Sequence, residues 1–86
     1  MIEKTDSNGK GIRQLTKVDS TMLYAVGYDD EAQILEVVFR TGGIYRYFHI
    51  SRELYEGLIT AESKGQYMRT HIIGHYPYER IRRKPQ

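Results

Sequence analysis

The chain has no cysteine and no tryptophan, and only two prolines in 86 residues. Without cysteine there is no disulfide, no thiolate metal site and no thiol nucleophile. Without a long apolar run there is no membrane-spanning helix, which needs roughly 18 or more such residues. The N-terminal MIEKTDSNGKG lacks the apolar stretch of a secretory signal, so the expectation is a soluble, cytoplasmic protein. No Gly-rich phosphate loop is present either. Gly42-Gly43 lacks the lysine and the following helix that such a loop requires.

What the chain does have is tyrosine, eight against two phenylalanines. Tyrosine joins an apolar body to a polar tip, so it fills a thin core and still offers hydroxyls at the surface. A domain this small buries only about 60% of the surface its unfolded chain exposes, and half-buried tyrosines suit it. The net charge of +2 conceals a segregation. Residues 1–17 carry +2, residues 18–63 carry −5 and residues 64–86 carry +5.

Residues 1–17 are polar and aperiodic and read as a flexible N-terminal arm. In LYAVGYDD, Tyr24, Val26 and Tyr28 alternate with Leu23, Ala25 and Gly27, the pattern of a strand in which Gly27 implies a bulge or a close backbone approach. After the acidic turn Asp29-Asp30-Glu31-Ala32-Gln33, Leu35, Val37 and Phe39 oppose Glu36, Val38 and Arg40 on a second strand. A third strand, IYRYF, follows Gly42-Gly43. A two-residue loop there would put Tyr45 and Tyr47 on the polar face. A three-residue loop, Thr41-Gly42-Gly43, would pair Arg40 with Ile44 and put both tyrosines beside Leu35, Val37 and Phe39. The latter is favoured, because it gathers Glu36, Arg40 and Arg46 on one face and offers Gly43 as the left-handed residue.

Ser51 is placed to cap a helix in RELYEGLITAE, worth about 1 kcal/mol over alanine. Leu54, Tyr55, Leu58, Ile59 and Ala61 form its apolar stripe. Ser63 is placed to cap a second helix from about Lys64 to Ile73, with Gly74 as its stop. The chain then ends in Arg80, Arg82, Arg83 and Lys84, a basic flexible tail over residues 79–86. The fold class read from this is α+β: a three-stranded antiparallel meander followed by two helices packed on one face.

Between Val18 and Tyr78 the chain resembles the KTSC domain family. The pieces that carry the resemblance are Val18-x-Ser20-Thr21-x-Leu23, Val26-Gly27-Tyr28-Asp29, Leu35-x-Val37-x-Phe39, Gly42 and Tyr45-x-Tyr47. They continue as Ile50, Leu54-Tyr55-x-x-Leu58, Ala61-x-Ser63-x-Gly65-x-Tyr67 and Ile72, in the expected order. Ser51 stands where proline is common, and Met68-Arg69 replaces a common Phe-Asn pair. The family is named for a C-terminal extension of some lysyl-tRNA synthetases and also occurs as free-standing bacterial proteins. It has no assigned activity, and its attachment to a tRNA-charging enzyme implies RNA as a ligand class.

The candidate chemistry is binding, not catalysis. Asp29, Asp30 and Glu31 are turn acids. His71 and His75 have the spacing of a helical metal pair, but Gly74 lies between them and no certain third ligand is visible. No catalytic, metal or cofactor site is assigned. Lys64, Arg69, Arg80, Arg82, Arg83 and Lys84 are interleaved with Tyr67, Tyr76 and Tyr78. Cations hold phosphates and aromatic rings stack on or shape a path for unpaired bases, so the preferred reading is a non-enzymatic RNA-binding module. The alternative is a small protein-interaction adaptor, using the free edge of the third strand and an outer face with Val38, Ile44 and Phe48.

Overall fold

The computed structural model describes residues 15–81. The arm before residue 15 and Arg82, Arg83 and Lys84 lie outside the described residues. The sheet is a meander of five antiparallel strands in chain order, not three: β1 (Thr16–Lys17), β2 (Leu23–Asp29), β3 (Ile34–Phe39), β4 (Ile44–Phe48) and β5 (Tyr78–Ile81). The helices α1 (Arg52–Thr60) and α2 (Lys64–Tyr67) stand between β4 and β5 in sequence and cover one face. The two added strands are the edges. Thr16 and Lys17 pair with Val26 and Ala25, and Tyr78, Glu79, Arg80 and Ile81 pair with Tyr47, Arg46, Tyr45 and Ile44. β5 forms because Tyr78-Glu79-Arg80-Ile81 alternates faces and β4 offers an unpaired row of backbone groups.

The β3–β4 hairpin has the parity expected of a three-residue loop. Val37 opposes Tyr45 and Leu35 opposes Tyr47, while Glu36 and Arg46 share the other face. The loop itself begins one residue earlier than expected. Val38, not Arg40, pairs with Ile44, and the loop is Arg40-Thr41-Gly42. The Gly42 amide donates to the Phe39 carbonyl at 2.8 Å, and the Phe39 amide donates to the Gly43 carbonyl at 2.8 Å. Gly42, with φ of +105°, is the left-handed residue, a conformation that costs a residue with a Cβ. The bulge also lies elsewhere than expected. Gly27 pairs regularly with Glu36, and the register shifts between Leu23 and Ala25, so Tyr24 is the inserted residue.

The core lies between sheet and helices. Leu23, Val26, Leu35, Val37, Ile50, Leu58, Met68 and Ile72 are fully buried. Burying one such side chain contributes about 1.5–3 kcal/mol. Tyrosines seal the seam around this core. Tyr28 stacks on Tyr55 at 4.5 Å and donates to the Ile50 carbonyl at 2.5 Å, and the Tyr67 hydroxyl donates to the Leu54 carbonyl at 3.0 Å. Ser51 caps α1 by accepting from the Leu54 amide at 3.1 Å, and Ser63 caps α2 from the Gln66 amide at 3.2 Å. Beyond Tyr67 the helix widens into a π turn over Met68–Ile72. Gly74 then turns the chain at φ +84°.

α1 and α2 approach closely where α1 carries Gly57, because any Cβ there would press on the hydroxyl and ring of Tyr67. Gly57→Ala gains about 1 kcal/mol of helix propensity but overpacks at about 1–3 kcal/mol, so the net effect is destabilising by about 1 kcal/mol. The expected fall in Tm is about 4–8 °C. In a Tyr67→Leu background the same substitution raises Tm, as thermal melts of the four variants would show.

Candidate functional site

β5 completes an aromatic cleft at the hairpin end of the sheet. Its lining is Met22, Phe39, Thr41, Tyr45, Tyr47, Ile73, Gly74 and Tyr78, around about 360 Å³. One wall is the helix-facing side of β4 and β5. Ile73, which packs against the core, and the left-handed Gly74 follow the π turn and also line the cleft. Within the wall Tyr45 and Tyr47 lie 6.4 Å apart at 23°, and Tyr78 is tilted against both at 5.7 and 5.8 Å. Phe39 meets Tyr45 edge-on at 5.4 Å. These rings are graded in exposure: Tyr47 is 4% exposed, Tyr45 is half-buried and Tyr78 is 60% exposed. The Arg80 guanidinium lies over the Tyr45 ring at 5.9 Å. The cleft thus offers a ring face and, at its rim, a cation.

The structure divides the residues read from sequence. Tyr78 and Arg80 meet at the aromatic cleft. Lys64 and Arg69 lie in a second, polar cleft of about 260 Å³ with Asp19, Ser20, Glu62 and Ser63. There the Lys64 ammonium donates to the Ala61 carbonyl at 3.0 Å, and Arg69 Nη1 approaches Met22 Sδ at 3.4 Å. Met22 borders both clefts and so links them. Tyr67 is half-buried, bonded to Leu54 and packed on His71 at 4.5 Å. Tyr76 is half-buried against the core. Tyr45, Tyr47, Phe39 and Met22 line the aromatic cleft and are not among the site residues that the sequence points to. Only the pairing of β5 with β4 brings Tyr45 and Tyr47 against Tyr78, and the sequence signal for it is the alternation of Tyr78 and Arg80 with Glu79 and Ile81.

Charge is segregated in space only in part, since Asp19 and Glu62 share the polar cleft with Lys64 and Arg69. The β2–β3 turn holds Asp29, Asp30 and Glu31, and the start of α1 adds Glu53 and Glu56. Arg52 there is tied to Asp30 at 2.6 Å and Glu56 at 3.5 Å. Arg46 is tied to Glu36 at 3.0 Å. Arg40, Arg69 and Arg80 sit toward the opposite, hairpin end, by register and by lining, and have no acidic partner within ion-pair distance among the described residues. No three His, Asp or Glu side chains come together in a metal-binding group among the described residues.

A KTSC domain model matches residues 19–76, and the chain belongs to the KTSC domain family. It is 40% identical over 65 residues to an uncharacterised protein of Stutzerimonas stutzeri, covering 74% of this chain and 92% of that one. It is 36% identical over 67 residues to a lysine–tRNA ligase of Nostoc, covering 78% of this chain but 12% of the ligase. The crystal structure of a KTSC domain protein from Yersinia pestis superposes with a TM-score of 0.77 at 29% identity, over 79% of this chain and 96% of that one.

Burial, with Tyr45 and Tyr78 beside it, pushes the Tyr47 phenol from the ordinary value of 10 up to about 12. The folded state therefore keeps this proton longer than the unfolded chain does. Tyr47's contribution is whole below pH 10 and is lost as pH rises from about 10 to about 12. Tyr28, Tyr55 and Tyr67 are also raised, chiefly by burial, and act in the same direction. Denaturant midpoints measured across that range should fall steeply for the native chain and less steeply for Tyr47→Phe.

Proposed function

We propose that this domain is a non-enzymatic, cytoplasmic module that binds single-stranded RNA through the aromatic cleft and the cations around it. The observation that carries this reading is the pairing of an exposed ring with an unpaired cation: Tyr78 stands 60% exposed beside Tyr45, and Arg80 lies over Tyr45 without an acidic partner among the described residues. An unpaired base stacks on such a ring irrespective of sequence, and a nearby guanidinium meets its phosphate. Tyr78 supplies the stacking face, and Tyr45 and Tyr47 back it. Tyr67 and Tyr76 shape the surrounding frame. Arg80 holds one phosphate at the rim, and Arg69 and Lys64 hold others past Met22. Arg82, Arg83 and Lys84 follow directly on β5 and add charge from outside the described residues.

Two further facts support this reading. The relatives include lysine–tRNA ligases, proteins named for their action on tRNA. The rival adaptor reading loses its main feature, because the β4 edge it needs is paired with β5. Of the outer-face residues it invoked, Ile44 is buried and Val38 and Phe48 are half-buried.

The test is an amide chemical-shift titration with short single-stranded RNA at about 50 and then about 200 mM salt. Shifts are expected at the cleft and over residues 64–83, fading at the higher salt. Tyr78→Ala should weaken binding by the worth of one stacked base, about 1–3 kcal/mol, with little change in Tm. Arg80→Gln should lower the salt slope of log K by about 0.7. A flat titration at the lower salt refutes RNA as the ligand class.

A further inference from the structure

The outer side of the sheet carries a second aromatic and cationic group at the same end of the molecule. The bulge in β2 leaves Tyr24 as the inserted residue, 42% exposed. Lys17 Nζ stands 5.4 Å from the centre of its ring, and the Arg40 guanidinium 5.5 Å. Lys17 comes from β1 opposite Ala25, and Arg40 opens the β3–β4 loop. Neither cation has an acidic partner within ion-pair distance among the described residues. Both lie within the roughly 6 Å at which a ring's negative face attracts a cation. Arg40 is also fixed in direction. Its Nε donates to the Ser20 carbonyl at 2.6 Å and its backbone amide to the Met22 carbonyl at 3.0 Å, so the fork is braced at one nitrogen, and its terminal nitrogens make no hydrogen bond among the described residues. Each cation of this anion grip is thus positioned about the Tyr24 ring before any ligand arrives, which lowers the ordering cost of meeting an anion there.

The grip adjoins the aromatic cleft. Arg40 and Thr41 are consecutive in the loop, and Arg40 belongs to the grip while Thr41 lines the cleft. Met22, which accepts the Arg40 amide, lines the cleft as well. We infer that Lys17, Tyr24 and Arg40 hold the backbone phosphates of the same single strand whose base enters the aromatic cleft, so that the strand crosses the hairpin tip at Thr41. The inference rests on the RNA-binding reading, and strand length separates the two. A dinucleotide can engage the cleft alone, whereas an octanucleotide can reach both faces.

The experiment measures anisotropy of a labelled dinucleotide and a labelled octanucleotide, both single-stranded RNA, with the native chain and with Lys17→Gln/Arg40→Gln. The native chain should bind the octanucleotide more tightly and with a steeper salt slope. The double variant should bind the dinucleotide as the native chain does and lose most of the octanucleotide's gain. Each phosphate contact to a single strand contributes about 0.7 to that slope, so losing two lowers it by about 1.4. Between about 50 and 200 mM salt, the octanucleotide should therefore weaken about sevenfold more with the native chain than with the variant. Tyr24→Leu should behave like the double variant, and Tyr24→Phe, which keeps the ring, like the native chain. If the octanucleotide's gain survives in the double variant or in Tyr24→Leu, the grip is refuted and cleft binding stands. If neither oligonucleotide binds the native chain, both are refuted.

Discussion

The parity of the β3–β4 hairpin decides what the two faces of this sheet can be. A slip of one residue would carry Tyr45 and Tyr47 to the outer face and turn Arg46 into the core, where an unpaired charge is costly. The turn prevents this with Arg40-Thr41-Gly42, which closes because Gly42 takes a left-handed conformation open to few other residues. With the parity set, Arg46 meets Glu36 at 3.0 Å on the outer side, and Tyr45 and Tyr47 meet Val37 and Leu35 on the inner side. β5 inherits the same parity through β4. That is why Tyr78 and Arg80 land beside Tyr47 and Tyr45, while Glu79 and Ile81 fall opposite Arg46 and Ile44.

Among the eight tyrosines, two sets stand apart by what their hydroxyls and rings meet. Tyr28 and Tyr67 each donate to a backbone carbonyl, of Ile50 and of Leu54, where the helices meet the rest of the fold. Both phenols are raised, and Tyr55, stacked on Tyr28, is raised by burial as well. In a core this small these contacts do what larger aliphatic layers do elsewhere, and they give the Tyr28 and Tyr67 hydroxyls a partner. Tyr24 and Tyr78 form the other set, 42% and 60% exposed, each with a cation near it or near its neighbour. A ring held in the open beside an unpaired cation adds little to stability, which is why these positions, not the seam, carry the proposed function.

Much of the frame was legible because its signals are local. Alternation in β2, β3 and β4, the serine caps of both helices and the stop at Gly74 all follow from residues within one or two turns of each other. The edge strands were not legible. β1 is two residues long and β5 four, with charge in each, and composition alone makes such segments look like arm and tail. Gly27 drew the bulge by type, yet the insertion falls at Tyr24, where the register against Val38 and Phe39 has to be known. The candidate site shares this limit. Tyr78 and Arg80 stand out by composition, but the cleft needs Tyr45, Tyr47, Phe39 and Met22, and they assemble only once β5 is paired.

The charge layout bears on how tightly such a module could hold a strand. With acids around the β2–β3 turn and α1, and Arg40 and Arg80 at the hairpin end without an acidic partner among the described residues, the domain has a sense of direction but a net charge of only +2. On the proposed reading it therefore orients a polyanion more than it concentrates one, and its affinity rests on a few phosphates and about one stacked base. Contacts so few give weak and salt-sensitive binding when the domain acts alone. They gain most when the strand is already held nearby, because a second, tethered contact is made at a high effective concentration. Segments similar to this chain make up 12% of each of three lysine–tRNA ligases. On the proposed reading, a weak, directional grip would add affinity in such a setting while letting an RNA leave quickly, since each contact is individually small. For a free-standing copy the same physics demands either a second domain on the same RNA or a ligand abundant enough to saturate a weak site.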